Sequence, residues 1–235
     1  APSRAYLAES IRLTNRRVVT AFMVSPTFGG GSWLAHSSFM TGLDIRDNGI
    51  YNLLLTRKQA TLSTRFTALG YRSVALMPGL RSEWPEGEFY RFANIYGARE
   101  IDYRGPEFGW WRIPDQFSLA RLAELELNRP NREPLFMMFT SISSHMPFRP
   151  TPPYQPDWSR ILTDRPFNQD VLDASLALLP EWTNMLPAYA GTLDYSLHSL
   201  GGFLREQANM NVVWIVIGDH QPAASISGEG ARWDI

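Results

Sequence analysis

Two short apolar runs, each ending at polar residues, constrain the fold of this chain most strongly. Residues 135–139 read LFMMF and precede a Thr-Ser pair, while residues 212–217 read VVWIVI and precede Gly-Asp-His. Short continuous apolar runs are typical of strands buried on both faces, as in a parallel sheet. In open α/β sheets, ligands bind at the carboxyl ends of such strands. The polar residues after each run are therefore candidates for a functional site.

The rest of the chain alternates between strand-like and helical patterns. Residues 18–24 and 73–77 predict two further strands. Segments with helical spacing fall between the strands, at 37–43, 60–69, 117–127 and 189–206. This alternation predicts an α/β fold, with a doubly wound, mostly parallel central sheet flanked by helices.

Two segments fit neither pattern. Residues 78–111 are rich in aromatic residues, Gly and Arg, and residues 147–156 are rich in Pro. Such composition disfavours helices and buried strands, so we predict surface excursions that wall a substrate cleft.

Composition limits the kinds of partner this chain can have. Its 235 residues are 44% hydrophobic, enough for a full core, and we predict a single domain over residues 1–235. A net charge of −1 without a block of Lys or Arg argues against a nucleic-acid partner. The absence of Cys leaves only oxygen and nitrogen ligands for a metal. No apolar stretch approaches the roughly 20 residues that span a bilayer.

The first chemical motif is the glycine-rich stretch FGGGS at residues 28–32. Glycines let a ligand approach the backbone closely, and a helix starting here would offer free N–H groups to an anion. Ser32 would then lie beside a bound phosphate or sulfate. The alternative is a glycine-rich turn capped by a serine.

The second motif is Gly-Asp-His at residues 218–220. Adjacent Asp219 and His220 on a turning backbone can face one metal, and carboxylate and imidazole suit Zn²⁺ or Mn²⁺. The alternative is a solvated turn in which the aspartate caps a following helix.

Histidine and tryptophan supply the remaining candidates. His145 follows a run of small hydroxyl residues at a predicted strand end, where it could bind an oxyanion or protonate a leaving group. His198 falls within a helical pattern and is interpreted as a packing or helix-surface residue. Trp84, Trp110 and Trp111 could stack on a substrate group or fill the core.

Read in order, four features resemble the sulfatase-like branch of the alkaline phosphatase superfamily. They are the glycine-rich turn with Ser32, the SSHMPF run at 143–148, the helix at 189–204 and the Gly-Asp-His turn. The resemblance spans nearly the whole chain. It is closest to phosphoglycerol transferases of the lipoteichoic acid synthase type and to phosphoethanolamine transferases. Those enzymes carry a threonine nucleophile at the position of Ser32.

The resemblance implies roles for particular residues. It makes Ser32 and His145 catalytic, and it makes Ser32, Asp219 and His220 ligands of a divalent metal ion, whether Mn, Zn, Mg or Ca. Its implied substrate-binding residues are Gly31, Trp33, His36, Arg81 and Trp84.

The sequence also departs from the family pattern. The sulfatase signature has Pro and Arg where this chain has Leu34 and His36, which argues against conversion of Ser32 to formylglycine. The synthases have His and Arg where this chain has Met77 and Glu86, so glycerol phosphate is not supported as substrate. Arg81 is a candidate substitute for the missing cation.

The resemblance also implies a setting for the protein. The family's first acidic metal ligand precedes the nucleophile at the end of an N-terminal strand that we do not find here. We therefore expect a fragment, incomplete at both ends, of a protein with an N-terminal membrane anchor. The expected location is the extracytoplasmic (periplasmic) face of the bacterial inner membrane.

Three functions follow as hypotheses. The first is a metal-dependent phosphotransferase or phosphodiester hydrolase that acts on a cell-envelope lipid or glycan through a phosphoseryl intermediate. Its partner would be an anionic phospholipid or another phosphorylated envelope substrate. The second is a sulfatase, and the third is a non-catalytic sensor or scaffold that keeps the fold.

Overall fold

Three parallel strands form the sheet in the computed structural model, which describes residues 2–110 and 113–235. They are β1 (Arg72–Leu76), β2 (Asn94–Tyr96) and β3 (Leu135–Phe139), in the order β2-β1-β3. Val74 of the central strand aligns with Asn94 on one side and with Met137 on the other. The parallel α/β architecture and the strands expected at 73–77 and 135–139 are confirmed. Trp111 lies outside the described residues.

Ten α-helices accompany the sheet in the described ranges. They are α1 (Pro2–Leu13), α2 (Ser32–Thr41), α3 (Asn48–Leu55), α4 (Leu62–Ala68), α5 (Gly87–Tyr90), α6 (Ala98–Ile101), α7 (Asp115–Leu122), α8 (Gln169–Leu176), α9 (Leu186–Glu206) and α10 (Ala224–Ser227). The π-helical turn Ala123–Leu127 extends α7, and a 3₁₀ turn spans Trp158–Arg160.

The main core lies where β1 meets the two helices α7 and α9. Val74 and Leu76 are fully buried and share this cluster with Leu122 of α7 and Phe203 of α9. Burying these large apolar side chains stabilises the fold by about 1.5–3 kcal/mol each. The core therefore fixes α7 and α9 against the sheet.

Helix α1 packs along α9 through close contacts with small residues. A Cβ atom at Gly201 would come within 2.9 Å of the Tyr6 ring, so only glycine allows this approach. His198 stacks on Tyr6 with ring centroids 4.8 Å apart. This contact agrees with the interpretation of His198 as a packing residue.

The strands predicted at 18–24 and 212–217 are wrong. Val19 is 94% exposed and Val213 is 88% exposed, and the described chain forms no regular strand in either segment. Only an isolated antiparallel bridge joins Val24 to Asp234. Apolar, β-branched composition favours an extended backbone, but a strand also requires a hydrogen-bonded neighbour.

Two other boundaries differ from the prediction. Strand β2 was missed because its three residues sit inside the predicted surface excursion at 78–111 and form no long apolar run. Helix α2 begins at Ser32, five positions before the predicted start at residue 37. The serine is therefore the first residue of the helix.

Candidate active site

Three consecutive glycines turn the chain into α2. Gly29, Gly30 and Gly31 have φ values of 69°, 152° and 79°, which residues with a Cβ rarely adopt. The turn makes Ser32 the first residue of a ten-residue helix. The N–H groups of a first helical turn have no intrahelical partner, so this end of α2 favours an anion.

Backbone contacts tie this glycine turn to the Gly-Asp-His turn. The Gly29 N–H donates to the Gln221 carbonyl at 3.0 Å, and Phe28 forms an isolated parallel bridge with Gln221. The Ser25 hydroxyl donates to the Asp219 carbonyl at 2.6 Å. These contacts hold the two motifs side by side.

The Ser32 hydroxyl meets the imidazole of His220. Ser32 Oγ lies 3.1 Å from His220 Nε2, and His220 Nδ1 lies 2.8 Å from the Gln221 carbonyl oxygen. A carbonyl oxygen only accepts, so this hydrogen-bond pattern assigns the ring hydrogen to Nδ1. The lone pair of Nε2 then faces Ser32, where it can accept the hydroxyl proton or bind a cation.

Asp219 lies between two histidines. Its Oδ2 atom is 3.5 Å from His220 Nε2 and 3.7 Å from His36 Nε2. Burial lowers the pKa of His36 below its ordinary 6.5, against the raising effect of Asp219, and the nearby His220 lowers it further. His36 is therefore mostly neutral at neutral pH, and its contact with Asp219 is not an ion pair.

The side chains near Ser32 have the right kinds of donor atom for a divalent cation, but too few of them. Asp219, His220 and Ser32 offer the oxygen and nitrogen ligands that Zn²⁺ or Mn²⁺ accepts, and the bond from His220 Nδ1 to a carbonyl is typical of a ligating histidine. Within residues 2–110 and 113–235, however, no group of three His, Asp or Glu side chains is arranged to hold a metal ion. The three donors carry one carboxylate.

The sulfatase family model matches residues 5–233, which is nearly the whole chain. The chain belongs to the sulfatase family. The resemblance inferred from the motifs is thereby confirmed, and it places this sulfatase-family chain among the enzymes of the alkaline phosphatase superfamily. No curated protein matches it significantly by sequence.

The fold of this sulfatase-family chain is similar to that of a solved structure. That structure is the lipoteichoic acid synthase LtaP from Listeria monocytogenes, which the chain matches with a TM-score of 0.58 and 18% sequence identity. The match covers 87% of this chain and 46% of that one, so the chain spans about half the length of the synthase structure. Across the described residues, none of the helices is both long and apolar enough to cross a membrane.

The other predicted site residues fall into separate places. Trp33, His36 and Trp84 line one cavity, and although Ser32 is not in its described lining, Trp33 and His36 belong to the helix that begins at Ser32. His145 lines a different, small cavity, whose described lining does not include Ser32, and its Nδ1 lies 2.7 Å from the Met146 carbonyl oxygen. Arg81 is exposed and is absent from the described lining of both cavities.

Two residues were missed in the sequence, one beside the Gly-Asp-His turn and one beside the segment that leads to His145. Burial and the negative charge of Asp219 raise the pKa of Tyr189, which places its phenol near the Gly-Asp-His turn. Asp115 is buried at the start of α7, and its carboxylate accepts hydrogen bonds from the N–H groups of Ile142 (2.8 Å) and Ser143 (3.2 Å). Its place in a first helical turn was a weak signal, whereas Tyr189 gave none.

Proposed function

We propose that Ser32 is the nucleophile of a phosphoryl-group transferase or phosphodiester hydrolase. The observation that carries the proposal is the 3.1 Å contact between Ser32 Oγ and His220 Nε2 at the N-terminus of α2. It combines an acceptor for the hydroxyl proton with a helix end that favours an anion.

The reaction proceeds in two displacements. Ser32 Oγ attacks phosphorus, its proton passes to the Nε2 lone pair of His220, and the P–O bond to the leaving alcohol breaks. The leaving oxygen takes up that proton from His220, and a phosphoseryl intermediate remains. Water or an acceptor hydroxyl then attacks phosphorus and gives its proton to His220. The bond to Ser32 breaks, and the serine oxygen takes the proton back from His220. N–H groups at the start of α2 stabilise the charge that develops on the phosphoryl oxygens.

A metal would add to this chemistry. Held by Asp219, His220 and Ser32, a divalent ion would lower the pKa of the Ser32 hydroxyl and neutralise a phosphate oxygen. It would replace the hydrogen bond between Ser32 and His220.

The proposed role of His145 is to contact the substrate anion or the leaving group when the substrate is bound.

The proposed substrate is an anionic phospholipid or another phosphorylated component of the cell envelope. The proposed location is the extracytoplasmic (periplasmic) face of the bacterial inner membrane. Membership of the sulfatase family and structural similarity to a lipoteichoic acid synthase support both proposals.

Trapping the covalent intermediate tests the proposal. The protein is mixed with bis(p-nitrophenyl) phosphate and Mn²⁺, quenched in acid and examined by peptide mass spectrometry. We expect a peptide in which Ser32 carries a p-nitrophenyl phosphoryl group, with loss of one p-nitrophenol from the substrate, and none from Ser32→Ala. Turnover that persists undiminished in Ser32→Ala would overturn the assignment.

One alternative has specific support. The match to the sulfatase family model over residues 5–233 favours a sulfatase. Hydrolysis of p-nitrophenyl sulfate but not of the phosphodiester would select this alternative.

A further inference from the structure

A cavity of about 210 Å³ is lined in part by α2, the helix that begins at Ser32. Trp33 and His36 of α2 line it, together with Met77 after β1 and Met138 of β3. Trp33 follows Ser32 directly, and His36 lies one helical turn beyond Ser32 on the same face of α2. His36 Nε2 also lies 3.7 Å from Asp219 Oδ2, so the cavity shares a wall residue with the surroundings of the proposed site.

The tyrosine hydroxyls and the Trp33 indole of the cavity wall are already engaged. The Tyr90 hydroxyl lies 2.7 Å from Ser37 Oγ and also meets the hydroxyl of Tyr51. The Trp33 indole N–H donates to Asn48 Oδ1 at 3.1 Å. Among the described residues that line the cavity, none is Asp, Glu, Lys or Arg. A polar ligand would find few partners here.

The surfaces that remain are apolar. Three methionines and five aromatic residues form the wall with His36, and Trp84 stacks on Tyr90 with ring centroids 5.5 Å apart. Methionine is flexible and polarisable and adapts to varied apolar shapes. A sugar or glycerol hydroxyl in the cavity would replace few of its bonds to water, with the His36 imidazole as one partner, whereas an alkyl or aryl group would gain from leaving water.

We infer that this cavity binds an apolar alkyl or aryl group esterified to the phosphate or sulfate that Ser32 attacks. The inference rests on the proposed function, which places the reacting anion at Ser32. It specifies the substrate as an ester with an apolar group beside its phosphorus or sulfur atom. The exposed Arg81 stands outside the described lining, so the cavity itself does not select a second anion.

Binding of unreactive alkylphosphonates tests the inference. Calorimetry with Mn²⁺ present measures Kd from methylphosphonate to hexylphosphonate. We expect Kd to fall about fourfold for each added methylene until the cavity is full. Met77→Gln should flatten this trend, and Met77→Trp should end it at a shorter chain. Met23→Gln, which changes a side chain outside the described lining, should keep the trend. Thermal unfolding confirms that each variant is folded.

The outcomes separate this inference from the proposed function. A Kd independent of chain length, an unchanged trend in Met77→Gln, or no binding at all would overturn the inference. A phosphorylated Ser32 without dependence on chain length would leave the proposed function standing and overturn only the cavity assignment. If Kd depended clearly on chain length in a protein that forms no intermediate, the cavity assignment would stand and the proposed function would be overturned.

Discussion

The Oγ atom of Ser32 lies 3.1 Å from Nε2 of His220, although 188 positions separate the two residues in the chain. The contact depends on the Gly29 N–H bond to the Gln221 carbonyl, which sets the two turns side by side. Neither motif carries this information alone. The pair is the basis of the predictions that concern activity.

Ser32 and His220 should act as one unit. Ser32→Ala and His220→Ala should each lower kcat on bis(p-nitrophenyl) phosphate by about 10³-fold or more, and the double variant should be no worse than the more damaging single change. Steady-state kinetics of the three variants measures this. His198→Ala, in which the contact with Tyr6 is lost, should keep its activity. If the two single losses of kcat multiplied in the double variant, a shared role would be contradicted.

Ser32 should remain an unmodified serine. The positions of Leu34 and His36 lack the Pro and Arg of the sulfatase signature, so the flanks that accompany conversion to formylglycine are missing. Peptide mass spectrometry of protein from its native host should show serine at position 32. Ser32→Thr should retain some phosphodiester turnover, because a threonine hydroxyl supplies the same nucleophilic oxygen. An aldehyde at position 32 would favour the sulfatase alternative.

Metal binding by this chain should be weak. Ser32, Asp219 and His220 contribute one carboxylate to offset a divalent charge, and the described residues offer no larger cluster. Calorimetry with Mn²⁺ should give low affinity that Asp219→Asn abolishes. The exposed Asp44 provides a control, since Asp44→Asn should leave the affinity unchanged. Tight binding that survives Asp219→Asn would show that other residues hold the metal.

The buried Glu126 should make stability depend on pH. Burial tends to raise the pKa of Glu126, but hydrogen bonds from Arg72 and Tyr96 and the charge of Arg72 outweigh it, so the folded pKa lies below the ordinary 4.5. The ionised Glu126 carboxylate therefore adds to the free energy of unfolding above about pH 4.5, and this stabilisation is lost as pH falls through the folded pKa. Acid titration of the free energy of unfolding should show that loss.

Glu126→Gln tests the pair between Glu126 and Arg72 directly. Removing one partner of a buried pair should cost about 3 kcal/mol at pH 7, and the difference from wild type should shrink below about pH 4.5. Glu124→Gln, which breaks the more exposed pair with Arg121, should cost less than about 1 kcal/mol. Equal costs for the two variants would contradict the role assigned to burial.

Asp115 should hold the segment that leads to His145. Its carboxylate accepts from the N–H groups of Ile142 and Ser143, and the Ser196 hydroxyl donates to it at 3.1 Å. Asp115→Asn has one acceptor oxygen fewer and should destabilise the fold by about 2 kcal/mol. Hydrogen exchange should accelerate at the Ile142 and Ser143 amides. The control variant Asp170→Asn, at an exposed helix start, should change neither the stability nor the exchange rates. Unchanged hydrogen exchange in Asp115→Asn would refute the assignment.

The sequence alone determined the elements that short windows encode. The apolar runs at 73–77 and 135–139 predicted β1 and β3, because a continuous apolar segment is stable only when both of its faces are buried. The three glycines before Ser32 predicted a backbone turn that other residues rarely adopt. Helical spacing at 189–206 predicted most of α9. Together with the order of the motifs, these features identified the family.

Only the tertiary structure decided how distant segments meet. The run at 212–217 has the composition of a strand, yet it is unpaired and most of its side chains are exposed, because pairing requires a neighbour that composition cannot supply. The lowered pKa of His36 arises from burial and from His220, which outweigh the opposing charge of Asp219, and both of these residues lie far away in sequence. The cavity lined by Trp33, His36 and Met138 likewise exists only because the fold brings α2 and β3 together. Local propensity acts within a few residues, whereas pairing, burial and site geometry depend on contacts between residues far apart in the chain.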